Sequence, residues 1–315
     1  MDTNPKRRSL GHMNRREIIK ATALLTASSL PIVRTAQAGE GLSERLGLES
    51  LSDGVLSFPT SFYLPDVPTV ETETLLKQHG LAPDSVTPDC NVTLMRSADR
   101  LVLFDTGAGS RFVDSVGLLA DSLDALGVDP GDVTDVVFTH AHPDHLWGVL
   151  DDFDDPVFAD ATHHISKVEW DFWIADATID LLPDDQKSFA AGAKRHLEAI
   201  EDKVVRFDFE SEILPGIFAV DTSGHTPGHT SFEIRRDGLQ FMVIGDALAH
   251  PIISFQRPDW ALGTDYDPQK AVATRNQLLG RLVDEKIGFL GYHLTAPGLG
   301  HADRHDGAYR FVPTT

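Results

Sequence analysis

Cysteine is nearly absent from this sequence: Cys90 is the only one in 315 residues, so no intrachain disulfide can form and a disulfide-stapled fold is excluded. Positive charge is scarce too. Lys and Arg number 27 against 48 Asp and Glu, a formal net charge of -21, and a surface of that sign repels phosphate backbones, which argues against nucleic-acid processing. The longest apolar stretch, Ala21 to Val33, falls short of the ~20 residues that a bilayer-spanning helix needs. From Gly39 onward there is no low-complexity linker, no repeat at a solenoid period and no shift in composition, so residues 39–315 read as one domain. A hydrophobic content of 41% suffices for its core.

The first 38 residues read as something else. Arg7, Arg8, Arg15 and Arg16 precede the apolar stretch, and Ala36-Gln37-Ala38 follows it, which is the layout of a signal peptide. Within it, Asn14-Arg15-Arg16-Glu17-Ile18-Ile19-Lys20 resembles the twin-arginine export consensus. The expectation is cleavage after Ala38, a periplasmic or secreted mature chain and no lasting membrane anchor, with an N-terminal anchor as the alternative. Removing residues 1–38 takes away seven basic and two acidic side chains, so the mature chain is more acidic still. Export of a prefolded, metal-loaded protein fits the lack of a disulfide.

Short β-rich runs fall at residues 55–63, 91–95, 101–104, 134–139, 217–220, 230–234, 240–244 and 288–292. Helical periodicity predicts helices over 111–126, 183–200 and 268–285. Strands grouped before and after a helical middle predict an α/β protein of packed mixed sheets with helices outside. The acidic run Asp151 to Pro156 reads as a solvated loop, since an EF-hand calcium site would need a glycine and a glutamate that it lacks.

The chemistry concentrates in His140-Ala141-His142-Pro143-Asp144-His145, which follows the buried-strand pattern Asp135-Val136-Val137-Phe138-Thr139. Strand ends are where α/β folds place their sites. Side chains two apart in an extended loop point the same way, so His140 and His142 can share one ion while Asp144 and His145 turn to a second. His225, in the glycine-rich turn Gly224-His225-Thr226-Pro227-Gly228-His229, is the next ligand candidate, and His229 is a supporting group behind it. Asp246 ends the apolar run Met242-Val243-Ile244-Gly245, where a carboxylate is costly unless cations flank it; a position bridging two ions satisfies both its oxygens. Asp105, before Thr106-Gly107, is read as organising the metal loop by hydrogen bonds. A last ligand is expected from the run Tyr292 to His301. Cys90 is expected to pack in the core.

At these residues the chain resembles the metallo-β-lactamase superfamily, with its HxHxDH run, later histidine, bridging aspartate and final histidine. The resemblance implies an αββα sandwich of two mixed β-sheets flanked by helices, with two metal ions at one edge. More narrowly, Glu169-Trp170-Asp171-Phe172-Trp173, Gly224 to His229, Pro297-Gly298-Leu299-Gly300-His301 and Tyr309-Arg310-Phe311-Val312-Pro313 are similar to the methyl parathion hydrolase branch. That similarity implies that His301 rather than His293 binds metal, and that Trp173, with Phe172 beside it, lines the substrate pocket.

The resulting expectation is an exported hydrolase holding two divalent ions on His140, His142, Asp144, His145, His225, Asp246 and His301, with Asp144 and Asp246 as the catalytic carboxylates. Oxygen and nitrogen donors without thiolate suit zinc and also admit manganese, iron or cobalt. A water between the ions loses its proton near neutral pH and attacks a carbonyl or phosphoryl centre. An apolar pocket over such a site favours small neutral esters or lactones, and phosphotriesters after them. The alternatives are a β-lactamase, a mononuclear iron dioxygenase of sulfur compounds and a non-catalytic periplasmic metal-binding protein. Homodimerisation stays open.

Overall fold

The computed structural model describes residues 41–184 and 186–314, so the signal-peptide reading lies outside the described residues. The chain runs through strands β1 (Leu48–Val55), β2 (Phe58–Pro59), β3 (Ser85–Val86), β4 (Asp89–Arg96), β5 (Leu101–Phe104), β6 (Asp135–Val137), β7 (Thr162–Ser166) and β8 (Val204–Phe207). It continues through β9 (Glu212–Leu214), β10 (Ile217–Asp221), β11 (Thr230–Arg236), β12 (Leu239–Val243), β13 (Gly288–Leu290), β14 (Leu299–His305) and β15 (Ala308–Pro313). Two mixed sheets result, ordered β1-β4-β5-β6-β7-β8 and β15-β14-β13-β12-β11-β10-β9, with β2 and β3 paired in a small ribbon.

Strand periodicity of two explains why the sheets stack. Along β5, Val102 and Phe104 point between the sheets, where they join Val137, Phe232, Phe241, Val243 and Leu290. Leu103 points the other way, into a layer with Leu119, Leu123, Phe138, Trp170 and Leu197 from helices and loops. The second sheet repeats the pattern: Phe241 and Val243 face inward, while Met242 and Ile244 meet Leu278, Leu279 and Leu282 of the helix Pro268–Asp284. The layers are thus helix, sheet, sheet, helix. Phe104 and Phe232 meet across the middle with ring centroids 5.6 Å apart. Truncating either to alanine would cost on the order of 3–5 kcal/mol, because a close-packed layer cannot refill the space.

Two elements differ from their sequence expectation. Residues 55–63 give only β2 before turning into the helix Thr60–Tyr63, since Pro59 removes a ladder donor and is already shaped for a helix start. In the span 111–126 only Leu119–Ala125 is helical, because Gly117 takes φ 85 and Val116 bridges to Gly54, which consumes the upstream turn. Asp151 to Pro156 is a surface loop closed on Asp151, whose Oδ1 accepts from the backbone N–H groups of Phe153 and Asp155.

The C-terminal ends of β6, β12 and β13 and the N-terminal end of β11 converge on one edge of the sandwich. Thr230 N–H donates to the Thr139 carbonyl at 2.9 Å, and Ile244 N–H to Leu290 at 3.0 Å. The first bond ties the two sheets together where the histidine-rich loops emerge, and the second extends the β12–β13 ladder to the same edge.

Candidate metal centre

After Thr139 the chain is extended as far as His142 (φ -67, ψ 159), and Pro143 then starts the short helix Pro143–Leu146. The change of backbone sorts the motif. His140 and His142 project from extended chain, whereas Asp144 and His145 lie on a helical turn and face a second position. His140 Nε2 and His225 Nε2 each lie 3.0 Å from His142 Nδ1. His145 Nε2 lies 3.4 Å from Asp144 Oδ2, and His293 Nε2 lies 3.1 Å from the same oxygen. Asp246 stands between the two groups: Oδ1 is 3.2 Å from His145, and Oδ2 is 3.3 Å from His225 and 3.2 Å from His293.

His301 is not part of this centre. It sits on β14 opposite Val312, its side chain is 47% exposed and its ion-pair partner is Asp303 at 3.7 Å. It lines a surface groove with Leu42, Phe241 and Val283. The reason is geometric: β14 runs antiparallel to β13, so the chain has already turned away from the site edge when it reaches residue 301. His293 takes the position because it follows β13 directly, as His140 follows the β6 run and Asp246 follows β12. The strand-then-ligand pattern at residues 288–293 makes His293 a candidate, and the reversal between β13 and β14 selects it over His301.

Donor chemistry fits metal. Asp144 Oδ2, His145 Nε2 and Asp246 Oδ1 are buried without a hydrogen-bond partner, a costly state unless a cation fills the space between them. Among the described residues, three groups of side chains have ligand atoms close enough to hold an ion: His140, His142 and His225; His140, His145 and Asp246; and Cys90, Asp144 and His293. Cys90 thus packs in the core and also has its sulfur beside Asp144 and His293. Burial pushes its thiol up to about 12.

Most of the imidazoles are turned by a hydrogen bond at the far nitrogen, which fixes which lone pair faces inward. His145 Nδ1 meets Asp105 at 2.8 Å, and Asp105 in turn accepts from Thr139 N–H and Oγ1. Asp105 adopts φ 65, which aims its carboxylate under the metal loop. His225 Nδ1 meets Asp265 at 3.0 Å, and Asp265 accepts from Leu262 N–H and Arg275. His293 Nδ1 donates to the Asp89 carbonyl at 2.8 Å, and His140 Nδ1 lies 3.0 Å from Thr139 Oγ1. His142 differs, presenting Nδ1 inward. His229 is spent elsewhere: its Nε2 accepts the Asp246 N–H and its Nδ1 faces Thr222, so it supports Asp246 from behind. Gly245 (φ 50) is required there, because a Cβ would stand 2.8 Å from His229 Nε2.

Electrostatics divide the histidines. Burial, reinforced by neighbouring imidazoles, holds His140 and His142 well below the usual range, so both are neutral and ready to ligate. For His145 and His293 burial also opposes charge, but the carboxylates of Asp246 and Asp144 outweigh it and raise both well above their ordinary values. Asp246 is held well below the carboxylate range, since His293 and His145 overcome its desolvation. The pattern is that of a cation-demanding cluster.

Trp173 is 2% exposed, donates its indole N–H to Glu169 and presents its ring to His142 at a centroid distance of 5.8 Å. Phe172 is partly buried and meets Trp173 and Tyr266. Trp173 thus lies beside the first group of histidines, and Phe172 packs behind it. Sequence reasoning weighed His293 and set it aside for His301, and it missed the roles of Asp265, Arg275, Glu169, Asn91 and Tyr292. Asn91 Nδ2 donates to the carbonyls of Tyr292 and Leu294 on either side of His293, and Tyr292 Oη donates to the Asp144 carbonyl at 2.6 Å. Only Glu169 carried a local signal, the Ser166-x-x-Glu169 spacing of a helix start; Ser166 Oγ accepts the Glu169 N–H there.

The fold and this donor set define a class of metal-dependent hydrolase. Residues 87–307 match the metallo-beta-lactamase superfamily, and the chain belongs to that superfamily. Among solved structures, it is similar to AidC, a dizinc quorum-quenching lactonase described in complex with the product N-hexanoyl-L-homoserine. That likeness has 30% identity and a TM-score of 0.81, covering 85% of this chain and 94% of that one. It is similar also to the hydrolase AbOPH of the beta-lactamase superfamily (28% identity, TM-score 0.79, 85% and 94% covered). A probable metal-dependent hydrolase from Staphylococcus aureus shares the fold (22% identity, TM-score 0.68, 85% and 97% covered). No curated protein sequence matches the chain.

Proposed function

We propose that the chain is a dinuclear hydrolase of small neutral lactones or esters. One ion would be held by His140, His142 and His225, the other by Asp144, His145 and His293, with Asp246 within reach of both. The observation that carries this reading is the position of Asp246, whose two oxygens lie within 3.2–3.3 Å of His145, His225 and His293. One carboxylate therefore reaches both donor groups. Nitrogen and oxygen donors of this kind suit zinc.

Bound divalent ions supply an acidified water and a Lewis acid for the carbonyl or phosphoryl oxygen under attack. The protein's own part is positional. Asp105 and Asp265 fix the imidazole faces of His145 and His225, and Asp246 keeps both donor groups at one spacing. Asp144 and Asp246 stay ionised, held below the carboxylate range by His145 and His293, so their charge would offset that of the ions they hold. The rings of Trp173 and Phe189 border His142, with Phe172 packed on Trp173, and favour apolar acyl or aryl groups over charged ones.

Support for the lactone class comes from the likeness to AidC, a lactonase, and the AbOPH likeness supports hydrolysis in general; the aromatic border favours the neutral lactones and esters over charged substrates. The similarity to the methyl parathion hydrolase branch extends the proposal to phosphotriesters. Arg15 and Arg16, outside the described residues, support export to the periplasm by the twin-arginine route. An aspartate at position 246 and two donor groups disfavour a cysteine-ligated β-lactamase and a mononuclear oxygenase.

The test is metal analysis of purified residues 39–315, followed by a panel of lactones, aryl esters, phosphotriesters and cephalosporins. Two ions per chain and fastest turnover of a lactone or ester are expected. A preference for cephalosporins would overturn the substrate class.

A further inference from the structure

Glu169 is fully buried, and all its hydrogen-bond partners are neutral. Oε1 accepts from Ala141 N–H at 2.9 Å and from Trp173 Nε1 at 2.6 Å. Oε2 accepts from Thr226 Oγ1 and Gly228 N–H, each at 2.8 Å. These four donors occupy the carboxylate's lone pairs and come from three separate segments. Ala141 lies between His140 and His142. Thr226 follows His225, and Gly228 precedes the His229 that accepts the Asp246 N–H. Trp173 borders His142.

We infer that Glu169 is a positioning residue that fixes the His140, His142 and His225 triad and, through its bond to Trp173, the aromatic ring packed on His142. The inference rests on the dinuclear reading above. A buried carboxylate is expensive to keep without a cation, and a glutamine of the same shape would turn one pair of these contacts from attraction to repulsion. What the charge contributes is specific. It draws two ligand loops, remote in sequence, onto one point, and Gly228 is pressed so close that a Cβ there would meet the Glu169 backbone N at 2.2 Å. The first triad consists of imidazoles alone, whereas the second includes the carboxylate of Asp144. Negative charge immediately behind the first triad therefore adds to the field at its ion without occupying a ligand position.

The second group hangs on different supports, namely Asp105, the Asp89 carbonyl, Asn91 and Tyr292. A purely structural role for Glu169 would weaken both ions alike, and a positioning role should weaken one.

The experiment is a zinc titration of metal-free protein against a chromophoric chelator, with thermal melting of the metal-free forms alongside. Wild type should bind two ions. Glu169→Gln should weaken one binding step about tenfold to a hundredfold, the usual effect of losing a partner that orients ligands, and leave the other step unchanged. In the His225→Ala background, where the first ion is already lost, adding Glu169→Gln should lower metal content no further. In the His293→Ala background it should remove the remaining ion. Equal added loss in both backgrounds, or a Glu169→Gln protein that binds like wild type, overturns the proposal. Should Glu169→Gln fail to fold, Thr226→Val decides, since it removes one hydroxyl donor only. It should weaken the same step by roughly threefold to tenfold, and unchanged binding overturns the proposal. A wild type with fewer than two ions sinks the dinuclear reading itself.

Discussion

Asp105 accepts a hydrogen bond from His145 Nδ1 at 2.8 Å, with both side chains shut away from solvent, and the pair Asp265 and His225 repeats the arrangement at 3.0 Å on the other side of the centre. Each carboxylate fixes one imidazole, so each should serve one ion. Asp105→Ala is expected to lower affinity at the Asp144, His145 and His293 position, and Asp265→Ala at the His140, His142 and His225 position, by about tenfold to a hundredfold. Chelator competition on each variant measures this, and identical losses of both ions in both variants would contradict the pairing.

His293 and His301 offer a direct comparison. His293→Ala should leave about one ion per chain by the ligand-count argument. His301→Ala, on an exposed strand position, should keep both ions and change stability by no more than about 0.5 kcal/mol. Metal analysis and thermal melting together test the placement, and a His301→Ala protein short of metal would refute it.

Trp173 carries two functions that two substitutions separate. Trp173→Phe keeps a ring against His142 but removes the indole donor to Glu169, so it should loosen metal at the first triad while retaining most aryl-ester binding. Trp173→Ala should also lose turnover of aryl substrates by roughly tenfold or more, the size expected from an apolar contact of ~1.5 kcal/mol. Steady-state kinetics at saturating zinc isolates the second effect from the first.

Acid should destabilise the fold through His163. Its ring is buried, neither nitrogen has a partner, and it stacks on Phe138 with ring centroids 6.1 Å apart. Burial, with His164 and Lys203 adding to it, pushes the imidazole down to about 4. The unfolded chain, titrating near 6.5, then binds the proton first as pH falls, so stability drops from about pH 6.5 toward pH 4, by up to ~3 kcal/mol for this group. His163→Leu should flatten that part of the pH dependence in urea unfolding. A slope unchanged by the substitution would assign the acid sensitivity to other groups.

Cys90 should stay unreactive in the native protein. Its thiol is fully buried and its ionisation is pushed up to about 12, and only thiolate attacks disulfide reagents at a useful rate. Ellman's reagent should find no thiol in the folded, metal-loaded chain and one after denaturation. Stoichiometric labelling of the native state would mean that the β4 strand opens readily beside His293.

Much of this protein was legible before folding was considered. The apolar runs ending in Thr139, Gly245 and Tyr292, each followed by a ligating side chain, announce strands that deliver donors to one sheet edge. The helix Pro268–Asp284 is marked by its Asp267 cap, whose side chain accepts the Lys270 N–H. These are local signals, because hydrophobic period and chain punctuation act within a few residues. The role of Asp105 could also be read, since a carboxylate just after an apolar strand needs partners nearby.

Tertiary structure alone decided the rest. Whether His293 or His301 faces the metals depends on where the chain reverses between β13 and β14, and both positions carry the same side chain. Asp265 and Arg275 act through partners outside their own segments, and the Ser166-x-x-Glu169 spacing marks a helix start without disclosing that Glu169 reaches Ala141, Thr226 and Gly228. The histidine-rich loop names the chemistry because ligand identity is a property of side chains; which donors meet, and at what distance, is a property of two sheets packed face to face.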